Sequence, residues 1–155
     1  MSTQTIVFAI VTFLHDLFTA VWIGGLITLG LTVMPSVKKV LGKGPQTKKL
    51  MDVIQKRHSV WVYVSLVGLV LTGLLQSNRS AAFLGLFSFG NAYSAALAIK
   101  HILVLAMIVV ALYRSLALEG KLTPSQEKLK AVLMMLNIVL GVAILLLSGF
   151  TAALS

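Results

Sequence analysis

The chain has no cysteine, which removes disulfide bonds, thiolate metal sites and iron–sulfur clusters from its possible chemistry. Charge is scarce as well. Only 11% of its 155 residues are charged, and just four are acidic, Asp16, Asp52, Glu119 and Glu127. That is far below what clothes a soluble domain. There are three prolines, and each reads as punctuation: Pro35 as the stop of a first helix, Pro45 as a loop breaker, Pro124 in the first turn of a last helix. What is abundant is apolar, with 58% hydrophobic residues and a mean hydropathy of +0.99. Such a composition belongs to an integral membrane protein.

Four apolar runs, Ile6–Met34, Ser59–Gln76, Ala92–Leu118 and Ala131–Ala153, come close to or exceed the roughly 20 residues of a spanning helix. They predict helices over 6–34, 56–76, 92–118 and 127–153. The expected fold is an all-α integral membrane protein, a four-transmembrane-helix bundle forming a single membrane domain over 1–155. The opening MSTQTIVFAI has no basic segment and no small-residue cleavage site, so the first helix is expected to be uncleaved. Between the spans, residues 36–57 read as a basic loop whose end, Met51 to Arg57, leads into the second helix. Residues 77–91 read as an interfacial loop or short re-entrant turn, and 119–130 as a second basic loop.

The net charge of +9 would point to nucleic acid in a soluble protein; here it has a simpler cause. Eleven of the thirteen basic residues, Lys38, Lys39, Lys43, Lys48, Lys49, Lys56, Arg57, Arg114, Lys121, Lys128 and Lys130, fall in or beside the first and third connections. Basic loops stay on the cytoplasmic side. Loops 36–57 and 119–130 are therefore expected to be cytoplasmic and both termini outside, N-out/C-out, in a multi-pass protein of the cell (plasma) membrane. Membrane lipid is the expected surrounding, nucleic acid is not an expected partner, and a homo-oligomer is left open.

Ionisable residues inside a span are expensive and tend to mark a site. His15 lies in the first span, about 8 Å outward of its middle, and His101 in the third, about 6 Å outward of its middle on a helix running the same way. Two imidazoles at one level on two helices are the pattern of bis-histidine haem ligation. Gly24, Gly25, Gly30, Gly68, Gly73, Ala96, Ala98 and Ala106 are candidate walls for a porphyrin, although small residues also simply let membrane helices approach. Trp22 is a candidate to stack on the porphyrin edge. Lys100 and Arg79 are candidates to hold haem propionates, and Asp16 to neutralise Lys100. His58, beside Lys56, Arg57 and Trp61, reads as a boundary residue. Thr72, Asn137 and Ser148 are expected to form bonds between helices, and Met107, Met134 and Met135 to pack in the core.

The run HDLFTAVWIGG, His15 to Gly25, resembles the first-helix signature of the copper-resistance protein D-like membrane domain and of the J-type haem-containing protoporphyrinogen oxidases: a His, a Trp seven residues on, then a small pair. Lys56-Arg57, Leu71-Thr72-Gly73 and Lys100 resemble further features of those families, so the likeness covers about the first three helices. The sequence differs from the oxidases at Ser36, where they tend to have Arg, and over Tyr93–Ile99, which has no Trp. The resemblance implies haem binding and a possible haem-dependent oxidoreductase.

Several functions therefore stand side by side. One is a b-type haem protein holding haem b between His15 and His101 for electron transfer with an unassigned redox partner. Another is an enzyme of the protoporphyrinogen IX-oxidising kind, in which Lys100 or Arg57 steers the porphyrin carboxylates. A copper-binding or copper-transport protein is a third, with a methionine joining the two histidines. The absence of Cys and the shared level of the histidines weigh against copper. A plain membrane bundle is the fourth.

Overall fold

The computed structural model describes residues 2–77, 81–118 and 122–154. Among these there are no strands, and four helices are long and apolar enough to cross a membrane: α1 (Thr3–Leu41), α2 (Pro45–Ser77), α3 (Ala92–Leu116) and α4 (Pro124–Ala153). The chain divides into two compact units, Met1–Asn78 and Arg79–Ser155, each a pair of helices.

The first unit departs from expectation at its inner end. Pro35 does not stop α1, which runs on to Leu41. The reason lies just upstream, where Leu29–Val33 form a π turn and the Met34 N–H bonds back five residues to Leu29. A π turn is wider than an α turn, so the proline ring escapes the clash with the preceding carbonyls that ends an ordinary helix. A second π turn, Ala20–Gly24, interrupts α1 around Trp22. The expected basic loop of residues 36–57 is mostly helical too. α1 and α2 are joined only by Gly42, Lys43 and Gly44, and α2 begins at Pro45, eleven residues before the predicted start at 56. Gly42 adopts φ +68, and the Thr47 hydroxyl donates to its carbonyl at 2.9 Å.

Small residues let α1 and α2 lie close. The Phe18 ring covers Gly68, the His58 ring covers Gly25, and His15 rests against Gly73. These contacts fix an antiparallel register and a seam between the helices.

In the second unit, residues 81–91 form turns that fold onto the start of α3. Asn91 caps that helix by accepting from the Ser94 N–H at 2.7 Å, while its side-chain amide donates to Ala82 O, also at 2.7 Å. Ser94 ties the same turns down, donating to Ala82 O at 3.1 Å and accepting from Leu84 N–H at 3.0 Å. α4 starts at Pro124, with that proline in its first turn as the sequence reading expects and ahead of the apolar span drawn from 127, because Thr123 and Gln126 form a reciprocal capping box. Ala98 and Met107 of α3 and Met134, Ile138 and Ile144 of α4 are buried, and Lys130 donates to Leu118 O at 3.1 Å. Much of what is exposed is apolar, including Val67, Leu74, Val109 and Val139. Exposed aliphatic faces on helices of this length suit lipid, not water.

Candidate functional site

His15 is half-buried on α1 and bonded across the seam, its Nδ1 lying 2.9 Å from the Thr72 hydroxyl. The direction of that bond can be worked out. Thr72 has one hydroxyl proton, and its oxygen lies 2.7 Å from Gly68 O, four residues back, where that proton is donated. The hydroxyl oxygen then accepts from His15 Nδ1–H. In the neutral ring this tautomer leaves the lone pair on Nε2. Metal-bound histidines are arranged in the same way, one ring nitrogen donating to a protein oxygen so that the other is oriented and made more basic. The His15 carbonyl accepts from Thr19 Oγ1 at 2.8 Å, and the Gly73 face gives the ring room. Thr72, expected to link helices, does so.

Trp22 is 2% exposed within the first π turn. Gly25 was a candidate wall for a porphyrin; the space over it is taken by His58, as that over Gly68 is by Phe18. His58 itself packs across the seam. Because α2 starts at Pro45, His58 lies well inside the helix and is packed on α1. The register of the two helices, hidden in a single sequence, was needed to see this; the seven-residue interval from His58 to Ser65 to Thr72 was the available signal.

His101 belongs to the second unit, half-buried on α3. Its Nδ1 is buried with no hydrogen-bond partner among the described residues, and the Phe87 ring lies 6.0 Å away between centroids at 55°. Lys100 is half-buried beside it and Asp16 on α1 is exposed. Arg79 lies outside the described residues. Asn137, expected to bond another helix, is 1% exposed with Oδ1 unpartnered among the described residues.

Among the described residues no three His, Asp or Glu side chains converge as a metal-binding group. A haem asks for less, since two axial imidazoles suffice. Of the two histidines read as ligands, His15 belongs to the first unit and His101 to the second. Searches of protein-family models, of curated proteins and of solved structures return no match to this chain.

Proposed function

We propose that this chain is a multi-pass membrane haem protein of the b type, with His15 and His101 as axial ligands and electron transfer as its task. The observation that carries the proposal is the His15–Thr72 bond, which orients a membrane-embedded imidazole from across the seam. His101, half-buried on α3 beside the Phe87 ring, supplies the second position.

When bound, haem supplies a one-electron ferric–ferrous couple; with both axial positions held by histidine, no site is left for a gas. The protein's own contribution is to fix the imidazoles, to surround them with apolar side chains, and to offer Lys100 and Arg79 to the propionates. The protein resides in the plasma membrane with the basic α1–α2 turn and the connection before α4 in the cytoplasm.

The test is spectroscopic. Protein purified in detergent from haem-replete membranes is expected to be red, with a Soret band that shifts on dithionite reduction. His15→Ala and His101→Ala are each expected to abolish the six-coordinate spectrum, and His58→Ala to retain it. A colourless, folded wild-type protein that takes up no added haem overturns the proposal.

A further inference from the structure

Arg114 is a charged residue that the haem reading leaves unused. It stands in the last turn of α3, half-buried, and its Nε is sealed from solvent with no hydrogen-bond partner among the described residues. Met107, seven residues earlier on the same helix face, is fully buried, and Leu118, four residues later, is 2% exposed. Arg114 thus lies on a covered stripe of α3, and α4 is the helix packed on α3. A long basic side chain at a membrane boundary has an easier course, which is to run its apolar stem outward and leave the head in water. There it would serve the helix C-terminus equally well. Arg114 keeps part of its guanidinium inside instead.

Two tyrosines give its depth. Tyr93 and Tyr113 stand twenty residues apart on α3, about 30 Å along the axis, the thickness of the hydrocarbon layer. Tyrosines gather at the two edges of that layer. Arg114, next to Tyr113, is therefore level with lipid headgroups, where the abundant anion is phosphate. The second unit has little of its own to set against the charge. A guanidinium keeps its proton at any pH a protein meets, and the sole acidic side chain among the described residues of that unit is Glu127, on the exposed first turn of α4. A second cation stands close by. Lys130 Nζ donates to Leu118 O at 3.1 Å, which places its ammonium about one turn beyond Arg114 and commits one of its three N–H groups.

We infer that Arg114 and Lys130 hold the phosphate of an anionic phospholipid where α3 ends against the start of α4. A guanidinium meets a phosphate with two parallel N–H···O bonds, and the ammonium supplies a third from the side. Basic pockets between membrane helices take lipid headgroups in this way. With two cations around one phosphate, the site favours a lipid of net negative charge over a zwitterionic one, whose own cation would add a third positive charge. Neither residue has a part in the haem reading, and phosphate borders both leaflets, so the site stands whether or not haem binds and whichever end is cytoplasmic.

The test is a comparison of lipids. The full chain in detergent is titrated with dioleoyl phosphatidylglycerol or dioleoyl phosphatidylcholine, and the lipid retained per chain is counted after gel filtration. Wild type is expected to prefer the glycerol lipid by at least about tenfold, and Arg114→Gln to lose that preference. Arg114→Lys, which keeps the charge without the fork, is expected to retain part of it, and Lys128→Gln, exposed on α4, all of it. Equal retention of the two lipids by wild type, or full preference in Arg114→Gln, ends the proposal; circular dichroism checks that each variant keeps its helices. An undiminished preference in Lys130→Met overturns Lys130 as the second hold. A tenfold gain in Glu119→Gln means that Arg114 is held by that carboxylate, which lies outside the described residues, and displacement of the lipid by inorganic phosphate at constant ionic strength means that the site takes the free ion. Either outcome overturns the lipid.

Discussion

Thr72→Val keeps the size of the side chain and removes the oxygen that accepts from His15 Nδ1. If His15 is an axial ligand, the loss of that orienting bond lowers haem affinity by about 10- to 100-fold while the helix pair still forms. Haem loss to a soluble scavenger measures it, and an unchanged rate separates Thr72 from the ligand. Close approach along the seam makes a second expectation. A Cβ on Gly68 would fall on the Phe18 ring, so Gly68→Val destabilises the first unit by about 1–3 kcal/mol. Gly24→Ala meets nothing and stays within about 0.5 kcal/mol of wild type, both read by reversible unfolding in mixed micelles. At this scale the sequence was legible in part. The seven-residue step from His15 to Trp22 and the cost of a histidine in lipid single out α1, but which residue faces His15 depends on a register that spacing along one helix does not contain. Thr72 was therefore legible as a residue that bonds another helix, but not as the partner of His15.

The four helices were readable because lipid imposes a length of about 20 apolar residues on any span. Their ends were less so, and for definite reasons. A π turn absorbs Pro35, and a helix that leaves the bilayer turns polar without ceasing to be a helix, so hydropathy falls at residues 36–57 while the α-helical backbone continues. The hairpin then hangs on three residues, of which Gly42 has φ +68 and ψ −162, a conformation almost confined to glycine. Gly42→Ala is expected to cost about 1–3 kcal/mol, seen as a lowered unfolding midpoint. Gly44→Ala, where a Cβ meets nothing, leaves that midpoint in place.

For the whole molecule, eleven of thirteen basic residues gather at one end of the predicted topology, and Lys43 at the tip of the α1–α2 turn marks that end. In intact cells a Lys43→Cys thiol is expected to escape a membrane-impermeant maleimide, whereas Ser2→Cys and Leu154→Cys react; labelling of Lys43→Cys from outside reverses the orientation. The expected sidedness rests on charge counting alone, and the fold adds nothing to it. Length has an effect of its own, because α1 is a continuous rod of 39 residues. Its apolar part alone, Ile6–Met34, measures about 43 Å at 1.5 Å per residue, well over the roughly 30 Å of the hydrocarbon layer. Such a rod has to lean, or gather thicker lipid around itself, at a strain of fractions of a kcal/mol per Å of mismatch. Short-chain lipids are expected to tip it further from the membrane normal.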